Sequence, residues 1–300
     1  MSDKFLLGIK DNEPFFYKSS DLNTHALIVG MTGSGKTGLG VTLLEEICLK
    51  NIPSFVIDPK GDMANLCLSL KNADEFLPYA KDKDTAENLA NSLKIGLENS
   101  FGSLARVSEF KDSVDFTIYT PKSSSGVGVA LLGDFTLPQN LDDEAMINYI
   151  NSLTSSILSL VSLQNDDTSK EYILINEILI STFKQGKILT LNELILTLNE
   201  PPFSQIGVFE IEKFYPANER FKLSVKLNSL IASANFKAYT NGERLDIKNM
   251  LFNGKKAKCN IFSISHLNDN ERMFFVTFLL NEIIAWLRTT EGTDELRAVF

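Results

Sequence analysis

Cysteine and histidine are scarce. Cys48, Cys67 and Cys259 are the only cysteines in 300 residues, no two of them form a CxxC pair, and only two histidines accompany them. A disulfide framework and a Cys/His zinc site are thereby excluded, and a reducing cytoplasm is the expected location. Long apolar runs are missing too. The greasiest stretch, Met273 to Leu287, is interrupted by Asn281 and Glu282 and falls short of the roughly 20 residues a bilayer requires. No transmembrane segment is expected, and the first residues, MSDKFLLGIKDNEPFF, lack the apolar core of a signal peptide.

An excess of positive charge is also absent. The net charge is −9, which argues against a chain whose whole surface binds nucleic acid. The balance is uneven, however: between Lys213 and Lys258 there are ten basic and three acidic residues, a local +7, which leaves −16 elsewhere. Any contact with DNA is expected in the window 213–258; the plainer reading of that window is a solvated helix face. Hydrophobic residues at 44% and charged residues at 22% describe a folded chain with ample core, neither disordered nor fibrous.

What is present begins with short strand-like pieces at 5–9 and 15–17, expected to form a hairpin, and then ALIV at Ala26 to Val29, expected to be a buried strand. Glycines follow at once. TGLGVTLLEEICLK then sets Leu39, Leu43 and Ile47, with Leu44 and Cys48, at helical spacing, and Pro53 stops the helix before the apolar run SFVID. Strand, glycine loop, helix and strand make a βαβ unit with a right-handed crossover, and hence an α/β fold with a mostly parallel sheet.

Further on, a helix is expected around Thr85 to Leu97 and a strand at Val114 to Tyr119. Asp142, Asp143 and Glu144 load the start of a helix whose apolar residues Met146, Ile150, Leu153, Ile157 and Leu160 recur at 4, 3, 4, 3 spacing. Thr168 with Glu171, and Thr190 with Glu193, read as capping boxes of two more helices. Strand grammar returns at Ala257 to Ser265, a long helix covers Asn268 to Arg288 as though lying against a sheet, and Leu296 to Phe300 reads as a parallel strand. The organisation expected is an α/β core over 1–140, a helical insertion over 141–236, and a return to the core over 237–300.

Chemistry concentrates in Gly30-Met31-Thr32-Gly33-Ser34-Gly35-Lys36-Thr37, which satisfies GxxxxGK[ST], with Gly38 next. Backbone N–H groups of such a loop wrap phosphates, and the following helix N-terminus adds partial positive charge. Lys36 is the catalytic candidate, expected to reach the β and γ phosphates of a nucleotide whose base the loop leaves unread, and the Thr37 hydroxyl is a candidate Mg²⁺ ligand. Asp58, which ends SFVID at the carboxyl edge of a strand, is the second metal candidate. Asp62 is a lesser candidate for lying near the nucleotide, its plainer reading being the N-cap of a helix beginning at Met63.

The same residues also spell GxGxxG from Gly33 to Gly38, with Asp58 20 residues beyond Gly38, which is the dinucleotide fingerprint. Against it, the first glycine comes well after Val29, and a Lys-Thr pair has no task under a pyrophosphate. His25 and His266 read as ordinary polar residues flanking strands, and Trp286 among Phe274, Phe275 and Phe278 as core. Arg272 and Arg288 read as exposed arginines, with an arginine finger as the alternative. No Asn-Lys-x-Asp or LSGGQ motif occurs, which weighs against a GTPase and an ABC transporter.

The runs HALIVGMTGSGKTGLG and IDPKGDMANL resemble the HerA/FtsK-like branch of RecA/ASCE-type P-loop ATPases, which contains DNA-pumping motors and type IV secretion ATPases. FSISHLNDNERMFFVTFLL, with WLR and GTDELRAVF, is similar to a bacterial subgroup of these ATPases. The resemblance implies ATP and Mg²⁺ as cofactors, a ring, commonly hexameric, with nucleotide between subunits, and movement of DNA or protein through it. It also implies that the strand at Leu296 to Phe300 leads into an acidic pair, the Walker B aspartate and the glutamate that orients water. Since neither lies within these residues, the expectation is a truncated chain that binds ATP with little or no turnover. The alternative reading is a nucleotide-controlled interaction module without motor activity.

Overall fold

The computed structural model describes residues 4–100, 102–130, 134–135, 137, 141–163, 166–232 and 240–300. The chain forms two compact units, one of residues 1–118, 248–263 and 292–300, the other of 119–247 and 264–291.

The first unit opens with a hairpin of β1 (Lys4–Lys10) and β2 (Glu13–Lys18), joined by Asp11 and Asn12 at φ of 54° and 63°. Asparagine and aspartate tolerate this left-handed region better than other residues with a side chain. Helix α1 (Lys36–Leu49) leads to β3 (Ser54–Asp58). Short α2 (Ala73–Phe76), α3 (Lys83–Asn99) and α4 (Leu104–Ser113) precede β4 (Asp115–Tyr119). The sheet is completed from far along the chain, where β9 (Phe252–Asn253) turns into β10 (Lys256–Ser263).

The sheet order is β3-β10-β4, with β3 and β10 parallel from Cys259 opposite Ser54 to Ser263 opposite Asp58. On the open side of β3, Val299 makes one parallel rung: its N–H donates to the Pro53 carbonyl at 3.0 Å and its carbonyl accepts from Phe55 at 2.9 Å. Phe300 then stacks on Phe55 with ring centroids 5.1 Å apart. Cys48, Leu66, Phe110, Val114, Cys259 and Ile261 form the core between this sheet and its helices. The fold of this unit is thus α/β, with β3 and β10 in parallel register.

The strand expected at Ala26 to Val29 does not form. The segment pairs with no strand among the described residues, and Leu27 and Val29 are 86% and 77% exposed. A strand exists through its ladder, and apolar side chains alone cannot replace the missing partner.

The second unit is helical. Its helices are α5 (Asp143–Leu160), α6 (Lys170–Lys184), α7 (Leu191–Asn199), short α8 (Ile211–Phe214), α9 (Ala217–Ala232) and α10 (Asp269–Arg288). Two small two-stranded ribbons accompany them: β5 (Asp134–Phe135) with β6 (Leu189–Thr190), and β7 (Gln205–Ile206) with β8 (Phe209–Glu210). Helix α5 packs on α6 and α10, and α7 on α9. Asp142 caps α5 by accepting from Ala145 N–H at 2.7 Å. Thr190 with Glu193 and Asn268 with Glu271 close complete capping boxes on α7 and α10. The cap of α6 lies one residue later than expected. Ser169 Oγ accepts the Tyr172 N–H, Thr168 turns back to Asp166, and Glu171 accepts instead from the Tyr215 hydroxyl at 3.2 Å. Within this unit α10 lies against α5 rather than a sheet, and leaves Met273, Leu280, Ile284 and Leu287 exposed.

Candidate functional site

The loop from Gly30 to Gly35 leads into α1 through two residues of positive φ, Gly33 at 81° and Gly35 at 87°. Both positions favour glycine, because a Cβ in the left-handed region meets the neighbouring carbonyl. At Gly30 the constraint is spatial, since an added Cβ would collide with Ser34 Oγ. Ser34 N–H donates to the Met31 carbonyl at 3.2 Å, which closes the turn.

Gly35 is the N-cap of α1 and has no side chain to offer, and the first turn of the helix contains no acid. The opening N–H groups at Lys36, Thr37 and Gly38 precede the first intrahelical bond, in which Leu39 N–H donates to the Gly35 carbonyl at 2.9 Å. A helix start so exposed carries partial positive charge, and no acid of its own first turn offsets it. Lys36 Nζ donates to the Met31 carbonyl at 2.7 Å, so the ammonium is folded over its own loop. Thr32, Ser34 and Thr37 are exposed, and Lys36 is half-buried.

Asp58 sits differently. Its side chain is buried, with 1% of the residue exposed, and both oxygens are taken by main-chain donors. Oδ1 accepts from Lys60 at 3.2 Å and from Gly61 at 2.7 Å, and Oδ2 accepts from Met63 at 3.0 Å. Gly61, at φ 83°, lets the chain fold back over the carboxylate. The cap expected from Asp62 is therefore supplied by Asp58: Asp62 precedes the 3₁₀ turn at Met63–Cys67 and makes no side-chain cap bond.

The basic window 213–258 is divided. Residues 213–247 belong to the second unit and 248–258 to the first, and 233–239 lie outside the described residues. Arg220 is no surface cation. It is buried, donating to the Tyr215 carbonyl at 2.8 Å and pairing with Glu212 at 2.7 Å, which holds that carboxyl below its usual range. Lys213 pairs with Glu210 at 3.3 Å, whereas Lys222, Lys226, Lys248, Lys255 and Lys256 are exposed. His266 lies 2.6 Å from the Pro121 carbonyl; Arg272 donates to the carbonyls of Ile264 and Ser265. Trp286 is half-buried and His25 exposed.

Two acid positions that the sequence reading passed over stand out. Glu282 on α10 accepts from the Tyr149 hydroxyl at 3.0 Å, and burial pushes its carboxyl up to about 6, with the Tyr149 bond lowering it and Asp246 raising it. Burial and Glu282 together drive the Tyr149 hydroxyl upward. On α1, Glu46 is buried and pairs with Arg106, while Glu45 stands beside it. The signal was legible as two acids in the otherwise apolar run TLLEEICL.

Among the described residues no helix is long and apolar enough to cross a membrane. No curated protein matches the chain. The family model described as "Helicase HerA, central domain" matches residues 13–283 and so takes in the glycine loop, Asp58 and nearly all of both units. The open helix start at Lys36, the parallel pair of β3 and β10, and this match agree, and the chain belongs to the HerA helicase central-domain family of P-loop ATPases.

Proposed function

We propose that this chain is the nucleotide-binding part of a HerA/FtsK-like ring motor that couples ATP hydrolysis to moving DNA or protein. The observation that carries the reading is the uncapped start of α1, with Lys36 held at 2.7 Å on the Met31 carbonyl beside it. A triphosphate would take the ammonium from that carbonyl and accept from the N–H groups of Gly33 to Gly38, a set of charge-assisted bonds stronger than the one given up. The Thr37 hydroxyl would hold Mg²⁺, which when bound supplies neutralisation of the phosphate oxygens. Asp58 braces the 58–63 turn with three of its four lone-pair sites, which leaves one on Oδ2 for that ion.

In this reading the inserted helices of 141–236 form the working domain that carries the exposed Lys222 and Lys226 toward DNA, and subunits assemble in the cytoplasm as a ring, commonly of six. Calorimetric titration with ATP and magnesium tests the first step: saturable binding, lost in Lys36→Ala, supports it. DNA-stimulated hydrolysis tests the motor. If ATP binds while DNA changes nothing, the reading becomes that of a nucleotide-controlled interaction module, for which the apolar row Met273, Leu280, Ile284 and Leu287 on α10 is the favouring observation.

A further inference from the structure

The first unit contains a cavity of about 380 Å³ lined by β1, the C-terminal half of α1, α3 and α4. The glycine loop contributes none of its lining. Leu49, Leu93, Leu97 and Phe110 supply apolar wall. At its edge β1 is bulged: Leu6 faces Phe16 and Gly8 faces Phe15, which leaves Leu7 as the extra residue and bends the strand over the opening. Three charged side chains, Glu45, Glu46 and Arg106, enter this surface, whose remaining polar lining includes Thr42, Ser69, Ser100 and Ser103.

Their bookkeeping does not close. Glu46 accepts the Leu6 N–H at 2.8 Å and forms an ion pair with Arg106, so it is satisfied on both sides. Glu45 has no hydrogen-bond or ion-pair partner among the described residues. Burial raises its carboxyl, Glu46 raises it further and Arg106 opposes both. Glu45 is half-buried, and two carboxylates against one guanidinium leave one negative charge in excess beside leucine side chains, which a cation would offset.

We infer that this cavity binds a small aliphatic amine, its ammonium on Glu45 and its hydrocarbon body along Leu49, Leu93 and Leu97. An organic acid of the same size would meet two carboxylates and an arginine already engaged by Glu46. A neutral alcohol would bury the same methylene groups, each worth about 0.8 kcal/mol, yet leave the carboxylate uncompensated. The volume lies in the range of small-molecule sites, which are mostly apolar with a few fixed polar groups.

The test uses the full chain without nucleotide, so that its outcome is independent of ATP binding. Hexylamine, hexanol and hexanoate are titrated at neutral pH by calorimetry, with thermal unfolding as the second readout. Hexylamine is expected to bind saturably and to raise the unfolding temperature, at least about tenfold more tightly than hexanol, with no binding of hexanoate. Glu45→Gln should remove the preference for amine over alcohol, and acidification that protonates Glu45 should weaken amine binding in the native chain. Leu97→Trp, which fills the cavity and keeps the carboxylate, should abolish binding, and it carries the test should Glu45→Gln fail to fold. Equal affinity for hexylamine and hexanol, full amine binding by Glu45→Gln or by Leu97→Trp, or no saturable binding of hexylamine would each overturn the proposal.

Discussion

Two glycine-containing turns of the first unit make opposite use of their backbone. Gly30 to Gly35 ends in a helix start whose N–H groups meet no protein carboxylate, whereas the turn after β3 folds three N–H groups, those of Lys60, Gly61 and Met63, onto Asp58. One turn brings its own anion and is complete; the other lacks one and is open. A positive-φ glycine serves both, at Gly33 and Gly35 in the first and at Gly61 in the second. Glycine therefore permits the fold-back, and the internal carboxylate decides whether the N–H groups of the turn are held within the chain or left open.

The sharpest way to break this comparison is to remove the brace. Asp58→Ala should destabilise the chain by about 3 kcal/mol, since partly buried N–H groups lose an ionised acceptor; urea unfolding measures it. Unchanged stability together with lost magnesium-dependent ATP binding would instead make Asp58 a metal ligand. Next in size, Lys36→Ala should weaken ATP binding on the order of 100-fold by calorimetry, the equivalent of losing one strong charge-assisted contact, while leaving the urea midpoint almost unmoved. An equal loss of stability would mean that the lysine braces its loop as Asp58 braces the other turn.

Gly35→Ala comes third. A Cβ at φ 87° should cost about 1–2 kcal/mol and lower the unfolding temperature, with ATP binding weakened in step. The smallest effect lies in the helical unit. The Glu282 carboxyl is held near 6 against an ordinary value of 4.5, so the folded state binds the proton more tightly than the unfolded chain. Stability is then fully present below about 4.5 and declines as pH rises through about 6. Glu282→Gln should flatten this decline and stabilise the chain at pH 7 by on the order of 1 kcal/mol, read from unfolding curves across that interval.

The sequence already carried much of the fold where local and tertiary preferences agree. Asp142, Thr190 and Asn268 cap the helices they precede, and SFVID and the run through Cys259 meet in a parallel pair. Failures came where several residues compete for one role. Ser169 and Thr168 are both capable caps, and only the hydrogen bond from Thr168 to Asp166 removes one of them. Asp58 reaches Met63 N–H because Gly61 folds the chain back, and that fold-back is invisible in a list of capping residues. Ala26 to Val29 has strand composition, yet pairing requires a neighbour, which composition does not supply. Arg220 counted toward a basic surface until burial showed it holding the carbonyls of Tyr215 and Asn199. At the candidate site the turn at Gly33 and Gly35 and the helix start at Lys36 were readable from the glycine spacing; the partners of Asp58 were not, because they are backbone atoms.

In the proposed reading, the contact between Lys36 and the Met31 carbonyl would give the glycine loop a threshold. An ammonium already occupied at 2.7 Å leaves its carbonyl only for a ligand that offers more negative charge at comparable reach. Chloride or a lone monoanion would meet the helix start without recruiting the lysine, while a polyphosphate long enough to span both would release it. Under that proposal, discrimination by chain length of the anion would rest on the position of a single side chain.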